Sequence, residues 1–153
     1  MLTGLSVDFV QDNFSRSKKG VLRGLHFQSE PFGQVKLLRV IQGKILDVVV
    51  DLRTQQKTFG KWASIVLNDI NNEMLFLPSG FAHGFLCLSA YAQVHYKCSN
   101  YYNKNYEKTL IWSDNFLNIN WQTKSSIKNF YVSEKDQNGL SLDRLSKEGS
   151  LFK

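Results

Sequence analysis

The sequence holds three histidines, His26, His83 and His95, and imidazole is the side chain best suited to take and return protons near neutral pH. Each lies in a segment that reads as a strand. Gly20–Gln28 (GVLRGLHFQ) carries Arg23 and His26 with Gly24 between them. On a regular strand two residues three apart point to opposite faces. They share one cavity only if Gly24 admits a bulge or a sharp twist. His83 follows the Pro78-Ser79-Gly80 turn and sits between Phe81 and Phe85; a satisfied core histidine and a pocket histidine both fit that setting. Alternation along Ala92–Cys98 (AQVHYKC) sends Val94, Tyr96 and Cys98 to one face and Gln93, His95 and Lys97 to the other. The first face is apolar apart from the phenol, so Tyr96 is expected inward, where its hydroxyl needs a partner. His95 is expected outward, as a surface or interface residue.

Other polar groups invite plainer readings. Asp47 and Asp51 share one face of a strand that follows Lys36 and Arg39; exposed cross-strand ion pairs of small energetic weight are expected there. Lys18-Lys19 reads as a solvated turn. The histidines are scattered, with no HxH pair, and the two cysteines, Cys87 and Cys98, form no CxxC motif. A bound catalytic metal is therefore not expected. Neither GxGxxG nor GxxxxGK[ST] occurs, so no phosphate loop is read.

The elements that must position these groups are strands. Val35–Ile41, Ile45–Leu52, Trp62–Leu67, Glu73–Leu77, Gly84–Leu88 and Ala92–Cys98 are short and rich in β-branched or aromatic residues. Gln42-Gly43, residues 68–72, Pro78-Ser79-Gly80 and Ser89-Ala90 supply turn chemistry between them. That spacing is the signature of an all-β sandwich or barrel. From Ser113 the pattern weakens, so short helices or loops are expected there, with a frayed end over KEGSLFK.

The length of 153 residues points to one domain over residues 1–153. A hydrophobic fraction of 42% and an aromatic fraction of 13% exclude disorder. The net charge of +6 suits an anionic partner. No apolar run approaches the roughly 20 residues of a membrane span, and the start shows no signal-peptide pattern. A soluble cytoplasmic protein with reduced, buried cysteines and no membrane partner is the expectation.

The sequence resembles the dTDP-4-dehydrorhamnose 3,5-epimerase family. Matching segments run in family order: Gln11–Ser17 (QDNFSRS), Gly20–Gln28 (GVLRGLHFQ), Gln34–Leu37 (QVKL), Gly43–Arg53 (GKILDVVVDLR), Thr58–Trp62 (TFGKW), Leu77–Phe85 (LPSGFAHGF), Tyr96–Tyr102 (YKCSNYY) and Ser133–Asp136 (SEKD). The resemblance implies a cupin-type jelly roll, a homodimer, and no metal or cofactor. It implies isomerase chemistry of dTDP-rhamnose biosynthesis, converting dTDP-4-dehydro-6-deoxy-D-glucose to dTDP-4-dehydro-L-rhamnose at C3, C5 or both. Carried over by position, His26 falls where the family has its general base, Asp136 where a carboxylate pairs with it, and Tyr96 where it has its general acid. Arg23 and Lys36 match basic residues around the substrate and the developing enolate. His83 matches a pocket histidine, and Gln11, Asn13 and Ser15 match polar residues near the nucleotide-sugar.

The family usually carries a longer stretch before the QDN segment, with a DxRGFF-type motif that reaches across the dimer. Here ten residues precede Gln11, so those contacts have no expected counterpart. That departure keeps a second reading open, a non-catalytic barrel that binds a nucleotide-sugar. A nucleic-acid-binding barrel would need a basic, aromatic stripe; the Lys and Arg residues are dispersed, and no nucleic-acid partner is expected.

Overall fold

The computed structural model describes residues 6–122 and 127–153. Within them lie β1 (Gln11–Lys18), β2 (Val21–Gln28), β3 (Lys36–Gln42), β4 (Lys44–Asp51), β5 (Trp62–Asn68), β6 (Met74–Leu77), β7 (Phe81–Cys87), β8 (Tyr91–Cys98), β9 (Glu107–Thr109), β10 (Tyr131–Val132), α1 (Glu134–Gln137) and α2 (Leu142–Lys147). One sheet has the order β1-β8-β3-β6; the other has β10-β2-β7-β4-β5, with β9 also paired to β2. The pairings are antiparallel except that of β10 with β2. The result is the expected jelly roll of cupin type. No helix among the described residues is long and apolar enough to cross a membrane.

Two clusters of apolar side chains hold the layers. Between the sheets lie Leu38, Val40, Ile45, Phe85, Cys87 and Val94. On the far side of the β2-β7-β4 sheet lie Leu46, Val48, Val50, Leu86, Trp121, Leu145 and Phe152. The chain after Thr109 therefore covers a face that an ordinary sandwich leaves to water. β4 is buried on both sides as a consequence: Leu46 and Val48 point to the second cluster, while Ile45 and, by the period of two, Asp47 point between the sheets.

This corrects two expectations. Asp47 and Asp51 are buried, not exposed, because the strand has no solvent face; Asp47 pairs with His83, and Asp51 takes a bidentate bond from Arg53 and a third bond from Thr58. The end of the chain is also docked. Phe152 is buried against Phe27, its N–H donates to Leu52 O, and its carbonyl accepts from Thr54 N. The apolar pair Leu151-Phe152 finds a place on the second cluster, so the tail does not fray.

β1 is a strand the periodicity did not disclose. Its inward positions, Gln11, Asn13, Ser15 and Ser17, are polar, as are most of its outward ones. A strand whose inner face lines a cavity lacks the apolar alternation by which strands are recognised.

Candidate active site

The condition set on Gly24 is met by a bulge. The β2–β7 register shifts between Arg23 and His26, and Gly24 has φ +116°. A Cβ there would lie 2.6 Å from Gly84 Cα and 2.8 Å from His83 O, so two glycines let the strands touch backbone to backbone. The extra residue restores Arg23 and His26 to the same side. Both line a cavity of about 470 Å³ between the sheets.

The cavity wall is also made by Gln11, Asn13 and Ser15 of β1, Lys36 of β3, His83 of β7 and Tyr96 of β8. Asp136 stands behind His26: its Oδ1 is 2.5 Å from His26 Nε2. The structure thus brings together every residue singled out as a site candidate, although Asp136 is separated from His26 by more than a hundred positions. Asp136 is delivered by α1, whose Ser133 caps the helix by accepting from Asp136 N. Its Oδ2 accepts from Gly24 N at 3.3 Å, so the bulge and the carboxylate fix each other.

The charges are tuned by burial. Burial pushes the Asp136 carboxyl up, but the hydrogen bond and charge of His26, with the bonds from Gly24 and Ser133, bring it below its ordinary value. A carboxylate on Nε2 assigns the ring proton to that nitrogen and leaves Nδ1 with the lone pair. Burial raises the Tyr96 phenol; Cys98 and Glu107 add to the rise and Arg23 opposes it. Burial lowers Lys36, against the pull of Cys98, Asp47 and Glu107. Among the described residues the Lys36 amine makes one long hydrogen bond, 3.4 Å to His26 O, and it lines the cavity wall with donors to spare.

Several wall residues lie outside the sequence-based set. Glu107 accepts from Tyr102 OH at 2.9 Å and from Lys135 at 2.6 Å. Tyr102 N donates to Gln11 Oε1 at 2.7 Å. Gln28 accepts from Asn103 N and donates to Phe32 O and Tyr101 O, which moors the 99–106 loop at the rim. The segment YKCSNYYNKNYE offers no periodicity that would have marked these residues. Cys98 lines the cavity as a buried free thiol, and Cys87 is likewise buried and free. His95 sits on the outward face with Asp12, as expected. Among the described residues no group of three or more His, Cys, Asp or Glu side chains is gathered to hold a metal ion.

Comparison with known proteins agrees over nearly the whole chain. The family model described as dTDP-4-dehydrorhamnose 3,5-epimerase matches residues 1–144. The enzyme of that name from Shigella flexneri is 48% identical over 136 residues, 89% of this chain and 73% of the relative. That from Escherichia coli K12 is 44% identical over 144 residues, 94% of this chain and 76% of the relative. Among solved structures, the Legionella pneumophila dTDP-6-deoxy-D-glucose-3,5-epimerase in complex with dTDP-4-keto-L-rhamnose superposes with a TM-score of 0.91 at 41% identity. It covers 99% of this chain and 79% of that one. The Mycobacterium tuberculosis epimerase gives 0.94 at 36% identity, covering 99% and 76%.

Proposed function

Since this chain belongs to the dTDP-4-dehydrorhamnose 3,5-epimerase family, we propose that it epimerises a dTDP-linked 4-keto-6-deoxy sugar, a step of dTDP-rhamnose biosynthesis, with its own side chains as acid and base. A ketone at C4 acidifies the C–H bonds at C3 and C5. His26 removes such a proton through Nδ1, Nε2 being held by Asp136. The bonding pair moves onto the ketone oxygen as an enolate. Lys36, which lines the cavity, carries the matching positive charge. Tyr96 returns a proton to the opposite face of the carbon; burial keeps its phenol protonated until then. Arg23, His83, Gln11, Asn13 and Ser15 hold the sugar and its diphosphate, Arg23 by the bidentate geometry that guanidinium offers to phosphate.

The observation that carries this reading is that His26 and Tyr96 line one cavity, with a carboxylate bonded to the far nitrogen of the imidazole. The experiment is solvent deuterium exchange. In D₂O the protein should place deuterium at C3, C5 or both of dTDP-4-dehydro-6-deoxy-D-glucose, and product NMR should show inversion at the same carbons. A folded sample that binds dTDP and exchanges nothing would establish the non-catalytic reading instead.

A homodimer in the cytoplasm belongs to the same proposal. The outward face of the β1-β8-β3-β6 sheet leaves Phe14, Ile41 and Met74 exposed, an apolar set suited to burial against a second copy. The two free thiols suit a reducing compartment. Light scattering of the purified chain should give twice the mass of one chain.

A further inference from the structure

One buried carboxylate is left over from this mechanism. Asp47 is 1% exposed. Its Oδ2 lies 2.8 Å from His83 Nε2, and its Oδ1 is buried with no hydrogen-bond partner among the described residues. A half-satisfied buried carboxylate is a poor way to stabilise a sandwich; a valine, the residue that β4 uses at Val48, Val49 and Val50, would fill that place at lower cost. The groups facing Asp47 are His83 from β7 and Lys36 from β3. Both of those line the cavity. Asp47 itself does not.

We propose that Asp47 is the positioning residue of the enolate corner: it fixes the His83 ring through Nε2, so that Nδ1 is the nitrogen presented to the sugar, and it supplies the negative charge against which Lys36 stays an ammonium. The inference rests on the epimerase reading, since it assigns that corner to the ketone oxygen. Lys36 has no carboxylate within ion-pair distance among the described residues, and burial alone drives it toward the neutral form. The charges set around it are Cys98 on β8, Asp47 on β4 and Glu107 on β9. Among the described residues Asp47 is the one of the three with an oxygen that no hydrogen bond engages, Glu107 being held by Tyr102 and Lys135 and Cys98 by Asn13. The unpartnered Oδ1 follows from this arrangement. A carboxylate that closed directly on Lys36 would use up the protons the enolate needs, whereas one held back behind His83 lends its field and leaves them free.

Asp47→Asn keeps shape and burial and removes the charge. It should lower kcat about a hundredfold, with KM and the Kd for dTDP changed by less than about threefold, as for loss of an oxyanion-stabilising interaction. The alkaline limb of the kcat–pH profile should move to lower pH. Burial pushes Tyr96 up and Lys36 down, and Asp47 is one of the charges that hold Lys36 up, so removing it lowers Lys36 further and the Lys36 ammonium is lost at a lower pH. A role confined to packing would not move the limb. A variant with kcat within about twofold of the native protein, or an unmoved limb, overturns the proposal. A second measurement does not depend on the variant folding. In the native protein, ¹⁵N shifts of His83, assigned by their loss in His83→Gln, should report a proton on Nε2; a neutral ring protonated on Nδ1 alone also overturns it. If the native protein exchanges no deuterium at all, the epimerase reading has failed; if it turns over and Asp47→Asn matches it within about twofold, only this inference has.

Discussion

Two cavity histidines are each backed by a carboxylate, and the two pairs look alike but are built differently. In His26–Asp136 the histidine side chain is 31% exposed and the carboxylate 4%; in His83–Asp47 the values are 9% and 0%. Asp136 has both oxygens engaged, one by His26 and one by Gly24 N, and its carboxyl ends below the ordinary value. Asp47 has one oxygen engaged, and burial pushes its carboxyl up against the pull of His83 and Lys36. The first pair sits where a substrate and water can reach the ring and is supported on every side. The second lies in the wall and is left partly unsatisfied. A base must be reachable and must change its charge during turnover. A group that braces a corner must stay put, and a rigid low-dielectric wall suits that.

The largest effect that separates the pairs is on proton abstraction itself. His26→Asn should reduce deuterium uptake by about a thousandfold, within the range for losing a general base. His83→Asn leaves the base in place and should cost about tenfold to a hundredfold, with exchange and conversion falling together. Exchange kinetics followed by NMR give both numbers. Equal losses in the two variants would mean that the division between base and brace is wrong.

Next in size is the support of each ring. Asp136→Asn leaves His26 without the group that holds its proton on Nε2, and a ring free to adopt the other tautomer presents an N–H to the substrate in place of a lone pair. Turnover should fall about a hundredfold with KM little changed. Full activity in Asp136→Asn would show that the His26 ring needs no carboxylate to fix its tautomer.

How much of this could be read in the chain divides along the same line. The His26 side was legible in part: parity alone sets Arg23 and His26 on opposite faces, the family resemblance places both in the site, and Gly24 is where a bulge could reconcile the two, as it does. Tyr96 was legible by alternation within β8. Asp136 was not; it comes from a short capped helix far along the chain, and only the family resemblance pointed to it. Asp47 was misjudged for a physical reason. Its pattern on β4 was read as that of a strand with one wet face, and nothing local to β4 announces that the segment from Leu110 to Phe152 covers the other side. β1 escaped notice because a cavity had replaced the core opposite it, and Glu107 and Tyr102 because irregular loops have no period to read.

The smallest predicted effect is on stability, and it has opposite signs in the two pairs. For Asp136 the folded-state value is depressed, so its ionised form stabilises the fold. That contribution is present above the unfolded carboxyl value of about 3.9 and is lost as pH falls through the lower folded value. Asp136→Asn should therefore destabilise at neutral pH by about 2 kcal/mol, the scale of a hydrogen bond to a charged group, or a fall in Tm of roughly 4–8 °C for a chain of this size. For Asp47 the folded-state value is raised, so ionisation opposes folding at every pH above it and the penalty is relieved as pH falls through that value. Asp47→Asn should then leave Tm unchanged or raise it, although it removes a 2.8 Å hydrogen-bonded partner. Calorimetry of the two variants at neutral pH decides the matter. A matched fall in Tm would make both carboxylates ordinary structural partners. A fall in one and not the other identifies Asp47 as a residue whose charge opposes the fold it sits in, as expected of a charge retained for the reaction it braces.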